Sequence, residues 1–195
     1  MLIDASKRIP GGVLVFFASY GALDAAVDVW RDRGLMLQLE SVKPVFADGK
    51  KIVFDALIAK YRAAASKPRG AILLSVFRGK ASEGIDFADD QARAVFCIGI
   101  PYPSTQDPKV LAKKEYQEYA EKSLSADDWY NLQAYRACNQ SFGRVIRHKN
   151  DYGAIFLVDQ RFEYASTKAN LSHWVQEAVR DGLSLDKLEA FFKNR

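Results

Sequence analysis

The chain has 195 residues, of which 49% are hydrophobic, with 28 lysines and arginines against 24 acids and a formal net charge of +4. That is enough chain to bury one substantial core, and too apolar a composition for a disordered polymer. No apolar run approaches the roughly 20 residues of a membrane span, and the N-terminus lacks the apolar core of a signal peptide, so the reading is a single domain over 1–195 with no membrane partner. The mild basicity is compatible with nucleic acid and is weak evidence by itself. Cys97 and Cys138 lie in apolar surroundings without ligand-like spacing, as core thiols in a reducing compartment do.

In chain order, Val13 to Phe17 follows Pro10-Gly11-Gly12 as a buried strand. Helical spacing runs from about Gly21 to Arg33 and stops at Gly34. Ser41 to Phe46 reads as a second strand, and Asp48-Gly49 as a turn. Ile52 to Ala65 has helical spacing and ends before Lys67-Pro68-Arg69-Gly70. Ala71 to Phe77 is the densest apolar run and the best central parallel strand, with Ala94 to Ile100 a further one. Lys109 to Lys122 reads as a charged, exposed helix. Ser125 to Asp128 resembles a capping box with aspartate in the last position. A long helix follows, then a strand over Ala154 to Asp159 and terminal helices at Leu171 to Val179 and Leu185 to Phe192. Strands alternating with helices imply an α/β fold, a mostly parallel sheet covered by helices on both faces. Ligands of such sheets gather beyond the carboxyl ends of the strands.

The segment Trp129 to Lys149 carries Arg136, Arg144, Arg147 and Lys149 and no acid. Read as one helix at about 100° per residue, it places Gly143, Arg136, Arg147, Gln140 and Arg144 on one arc. Ala134, Tyr135, Cys138, Phe142, Val145 and Ile146 fall on the other. Guanidinium groups grip phosphates through a planar fork of donors, and a glycine beside them allows close backbone approach. The other reading of that arc is a solvated helix face, although such faces usually mix both signs. Arg78-Gly79-Lys80 follows a strand end, where backbone amides and cations suit a nucleic-acid phosphate. Spacing alone leaves this even with a plain turn and helix start capped by Asp86. Ser19 and Tyr20 offer a hydroxyl and a stacking ring after the first strand; by itself that pair suits an ordinary strand-to-helix junction better. His148 and His173 are the only histidines, and neither spacing nor neighbours suggest a serine–histidine–acid set or a metal-ligand cluster.

Three ordered blocks carry a resemblance. Gln140-x-x-Gly143-Arg144-x-x-Arg147 resembles motif VI of superfamily 2 helicases, Gly11 to Tyr20 resembles motif IV, and Gly70 to Phe87 resembles motif V. With Ile100-Pro101-Tyr102-Pro103, Asp151-Tyr152-Gly153-Ala154 and Asp159-Gln160-Arg161-Phe162, the chain resembles the iron–sulfur DNA helicases of the xeroderma pigmentosum group D (XPD) class. Within it, the resemblance is to the branch of the Fanconi anaemia group J and telomere-elongation-regulator helicases. It covers about Gly11 to Trp174 and implies a RecA-like domain, the second of two motor domains.

The resemblance implies Arg144 and Arg147 as ATP γ-phosphate ligands, with Gln140 orienting the site. Glu83, Gly84, Asp86 and Gly143 would line the nucleotide side, and Ser19, Tyr20, Arg78, Gly79, Lys80 and Ser82 would meet single-stranded DNA. The parent it implies is an ATP-dependent 5′→3′ DNA helicase of DNA repair, working in the nucleus. No Gly-x-x-x-x-Gly-Lys-Ser/Thr loop or acidic box is present, and two cysteines cannot supply a four-cysteine iron–sulfur site. The expectation is that ATP and Mg²⁺ are held mainly by an N-terminal motor domain of the same parent, which also carries the 4Fe–4S cluster, and that this chain alone is inactive. Repair proteins are the expected further partners. The competing reading is a stand-alone adaptor of helicase-like fold that binds DNA or protein.

Overall fold

A computed structural model describes residues 1–119 and 124–195. Its centre is one sheet of five strands: β1 (Gly12–Phe17), β2 (Val45–Ala47), β3 (Ala71–Val76), β4 (Ala94–Ile98) and β5 (Ala154–Val158). The order is β2-β3-β1-β4-β5 and every pairing is parallel. Because β1 lies in the middle, its side chains alternate between two cores. Leu14 and Phe16 join Leu73, Val95 and Cys97 on one face. Val13, Val15 and Phe17 join Ile72, Leu74 and Phe96 on the other. Each fully buried Leu or Phe in such a core contributes about 1.5–3 kcal/mol. This two-sided burial is why β1, β3 and β4 are continuous apolar runs in the sequence, not alternating ones.

The first face is covered by α4 (Phe54–Ala65), α5 (Lys80–Glu83) and α7 (Ala126–Phe142). The second carries α1 (Leu2–Ser6), α2 (Tyr20–Asp32), α3 (Leu35–Val42) and α10 (Leu185–Lys193). The remaining helices are α6 (Pro108–Tyr119), α8 (Ala165–Lys168) and α9 (His173–Ala178). The expected helix Lys109 to Lys122 is therefore described only to Tyr119, and residues 120–122 lie outside the described residues. The capping box holds: Ser125 accepts the Asp128 amide at 3.0 Å and donates its hydroxyl to the Asp128 carboxylate at 2.7 Å. Together these elements form the RecA-like α/β fold.

Two expectations fail. The strand expected over Ser41 to Phe46 starts later: Ser41 and Val42 end α3, and the strand begins at Val45. Gly34 adopts a left-handed φ of 68°, which ends one helix and starts α3, and Met36 and Leu39 bury at helical spacing. Only Val45–Ala47 pair with β3, as a short edge strand. The helix expected to reach Lys149 stops at Phe142. Beyond it the hydrogen bonds tighten, with Arg144 N donating to Ser141 O and Val145 N to Phe142 O. That is how a helix end satisfies its last carbonyls. Val145 then turns into the core at 1% exposure, and the returning chain packs on it. A Cβ at Gly153 would lie 2.1 Å from Val145 Cγ1.

Candidate functional site

β1 and β3 are adjacent and parallel with Phe17 opposite Val76, so the loops that follow them emerge at the same end of the sheet. The β3 loop begins with Arg78 at φ 60°, a left-handed conformation rare outside glycine. Its guanidinium donates to the Gln133 carbonyl of α7 at 2.7 Å, which ties the loop to that helix. The short α5 follows, and Lys80 points outward with its ammonium 5.5 Å from the Phe54 ring centre. Ser82 does not face solvent. It is 1% exposed and its hydroxyl donates to the Gly79 carbonyl. Its expected contact with DNA is therefore corrected, since a buried hydroxyl already paired locally has no access to a strand.

The segment after α7 meets this loop. Arg144 spends three donors on backbone carbonyls: Nε on Ser82 O at 2.8 Å, Nη1 on Ile85 O at 2.7 Å and Nη2 on Glu83 O at 2.8 Å. These carbonyls belong to the end of α5, where intrahelical partners run out, and to Ile85 just beyond it. Arg147 forms an ion pair with Asp86. The Asp86 carbonyl also accepts from Arg62 Nη2 at 2.7 Å. Asp86 therefore caps nothing; it is the counterion of Arg147. The Arg147 amide donates to Asp151, and the other Asp151 oxygen pairs with Arg93 at 2.9 Å in a nearly dry setting (side chains 3% and 6% exposed). Arg93 also stacks 4.1 Å over the Tyr152 ring. The two arginines thus sit beyond α7, in the segment facing α5, and not on the single helical arc the wheel suggested.

The arc survives for Arg136, Gln140 and Gly143, all exposed. Arg136, Gln140, Arg78, Glu83 and Gln133 line a pocket of about 320 Å³ between α5 and α7. Gly143 has an ordinary helical φ of −65°, and an added Cβ would meet nothing closer than 3.6 Å. The fold itself makes no demand for glycine there.

The β1 loop is built locally. Ser19 is the N-cap of α2 and accepts the Ala22 amide at 3.2 Å. The Tyr20 hydroxyl donates to Asp48 Oδ2 at 3.1 Å, and Ser75 donates to the same oxygen at 2.9 Å. Burial and then the Asp48 charge push the Tyr20 phenol above its ordinary value. Asp48, at 7% exposure, is the anchor of this loop. Sequence reasoning saw it only as a turn residue; it left Arg62, Arg93 and Asp151 unassigned and kept Arg136 off the site. A buried charge is visible only once its partners are brought to it.

Folding gathers one ligand atom each of Asp89, His148 and Asp151 within 4.8 Å, a group that sequence spacing did not suggest. Both Asp151 oxygens are already taken by Arg93 and by the Arg147 and Tyr152 amides, so no free ligand set is built. The two thiols do not suit a metal either. Burial pushes Cys97 up to about 12 and raises Cys138 as well, which disfavours the thiolate a metal needs. Among the described residues no helix is long and apolar enough to cross a membrane.

Residues 2–178 match the helicase C-terminal domain family. The chain is 42% identical over 205 aligned residues to a regulator of telomere elongation helicase 1 homolog of Drosophila ananassae, covering 99% of this chain and 21% of that protein. The homolog of Drosophila grimshawi is 44% identical over the same coverage. The chain therefore spans about one fifth of the length of these relatives. A solved XPD helicase structure matches with a TM-score of 0.60 and 26% identity over 87% of this chain and 28% of that one. A solved XPD structure without ligand, 24% identical with a TM-score of 0.59, shares the fold over 87% of this chain and 32% of its own.

Proposed function

Because the chain belongs to the helicase C-terminal domain family and is similar to XPD-class helicases, we propose that it is the second motor domain of an ATP-dependent DNA helicase. The parent translocates 5′→3′ on single-stranded DNA in nuclear DNA repair and genome maintenance. The observation that supports this reading is the joint between Arg144, Arg147 and the loop from Arg78 to Asp86. One side of that joint holds cations suited to a phosphoryl group, and the other holds residues suited to a DNA strand.

ATP enters as substrate in the cleft between this domain and an N-terminal motor domain of the parent. That partner supplies most phosphate contacts and the Mg²⁺, and it carries the iron–sulfur cluster. Among the described residues the Arg147 side chain is paired only with a largely exposed carboxylate, Asp86. A γ-phosphate of higher charge displaces that carboxylate and takes the guanidinium. Arg147 then stabilises charge on the transferred group, as an arginine finger does. Asp86, released, is free for the nucleotide's ribose. Arg144 stays on the α5 carbonyls and transmits the shift to Arg78, Gly79 and Lys80, which alter their grip on the strand. Gln140, Glu83, Gly84 and Gly143 line the nucleotide side, and Ser19 and Tyr20 the DNA side.

In the parent enzyme, Arg147→Ala should lower ATP turnover by about 10³-fold or more while leaving single-stranded DNA affinity nearly unchanged. Turnover that survives removes Arg147 from the phosphate. Lys80→Ala should weaken DNA binding and reduce its salt slope by about one unit. An unchanged slope removes Lys80 from the strand.

A further inference from the structure

The opposite end of the sheet holds a concavity that the motor reading does not use. It has a volume of about 680 Å³ and lies where α1, the α3–β2 junction and α10 meet below the amino ends of the strands. Lys7, Arg8, Lys43, Arg69 and Lys193 line it against the single carboxylate of Glu189. Five cations thus line the concavity against one anion, with Asp4 beside Lys7 on its outer side. The floor is apolar, offered by Val42, Pro68 and Phe192 over the buried Ile9.

Three details distinguish this place from a scatter of surface lysines. Lys43 is 3% exposed, and its ammonium is fixed by the Gly11 carbonyl at 3.0 Å and the Arg69 carbonyl at 2.8 Å. Burial, and then the nearby Arg69 charge, push Lys43 down to about 8. Arg8 Nε is a buried donor with no acceptor in hydrogen-bonding geometry, although a Glu189 oxygen lies 3.3 Å away. Glu189 itself spans Arg8 and Lys193, the latter at 2.5 Å. The site already holds one carboxylate, supplied by the protein's own last helix and poorly aimed at one of its two cations. Lys7 faces Asp4 at 3.6 Å on the outer side.

We propose that this concavity is a docking site for an acidic peptide segment of a protein partner, one that sets carboxylates against Lys7, Arg8 and Lys193 and lays an apolar side chain on Pro68 and Phe192. The apolar floor favours a peptide over a bare phosphate. Arg69 turns its donors back onto the carbonyls of Glu40, Ser41 and Val42 and presents no free fork to carboxylate or phosphate, so the apolar lining is what favours a peptide over a nucleic-acid backbone. Glu189 is then the resident competitor, displaced when the peptide arrives.

The test is fluorescence anisotropy on the full 195-residue chain with a labelled oligoglutamate peptide carrying one central phenylalanine. A labelled oligodeoxythymidine and unlabelled inorganic pyrophosphate serve as comparison probes. Lys193→Glu should weaken the peptide by about tenfold, Lys7→Glu by about threefold, and Glu189→Gln should tighten it by about threefold. The tightening is the decisive sign, since a merely structural Glu189 would not improve binding when neutralised. The two lysine variants lie on exposed side chains, so at least one remains folded for the comparison. The proposal is overturned if Glu189→Gln leaves the peptide unchanged or weaker. It is equally overturned if the lysine variants weaken the oligonucleotide and not the peptide, or if pyrophosphate binds the chain and the peptide does not.

Discussion

The loop after β1 and the segment after α7 both carry residues assigned to ligand contact, yet they are wired in opposite ways. In the β1 loop, Ser19 caps its own helix and Tyr20 rests on one anchor, Asp48. In the segment after α7, Arg144 and Arg147 reach groups 59 to 62 positions earlier in the chain. The first arrangement holds a loop still. The second makes two distant segments move as one, which a domain must do if it is to pass a change at a nucleotide to a change at a strand. The contrast also separates the two arginines. Arg144 is bonded to backbone, which cannot leave, whereas Arg147 is bonded to a side chain, which can.

The largest effect that would break this contrast is on Arg144. Losing three charged hydrogen bonds from a half-buried position should cost about 2–3 kcal/mol. For a chain of this size that is a fall in Tm of about 5–10 °C. Arg144→Lys should recover only part of it, because an ammonium cannot reproduce a fork spread over three carbonyls. Arg147→Ala should shift Tm by no more than about 2–4 °C, since an exposed ion pair contributes about 0–1 kcal/mol. Thermal unfolding of the three variants measures all of this. Equal losses for both alanine variants would erase the distinction between a fixed arginine and a releasable one.

Legibility in the sequence follows the same divide. The strands β1, β3 and β4 are readable because central parallel strands are apolar on both faces, β5 because its edge run Ala154–Val158 is apolar too, and the capping box at Ser125 because its bonds span three residues. The second strand was begun too early because Ser41 and Val42 close α3, a helix left unread because the stop at Gly34 serves as a start too. The end of α7 was overrun because no proline marks it; the terminus is enforced by Val145 entering the core and by Gly153 packing against it. Arg144 and Arg147 were singled out by motif resemblance alone. Their actual partners were not, because neither Asp86 nor the α5 carbonyls carry any local sign of an arginine 60 or so residues later.

A smaller effect sharpens the β1 side of the comparison. Tyr20→Phe removes one hydrogen bond to a buried carboxylate and should cost about 1 kcal/mol, or about 2–4 °C in Tm. If the ring is what meets a base, Phe keeps single-stranded DNA affinity while Tyr20→Ala lowers it by about tenfold, in line with the worth of one stacked base. Anisotropy with a labelled oligodeoxythymidine distinguishes the cases. Loss of affinity in Phe as well as Ala would mean that the Asp48 tether, not the ring, is the functional part.

The smallest expected effect lies at Gly143. Its φ of −65° suits any residue, and an added methyl meets its nearest neighbour at 3.6 Å. Nothing inside this domain requires a glycine, so Gly143→Ala should leave Tm unchanged or raise it by about 1–3 °C through the unfolded chain's lost freedom. The same substitution in the parent enzyme isolates what lies outside the domain. If a second domain or the nucleotide approaches the backbone here, turnover falls although the isolated chain is no less stable. If turnover is unchanged, the cleft does not close over this turn. Arg147 would then have to reach the phosphate from a more open geometry than a tight interdomain contact provides.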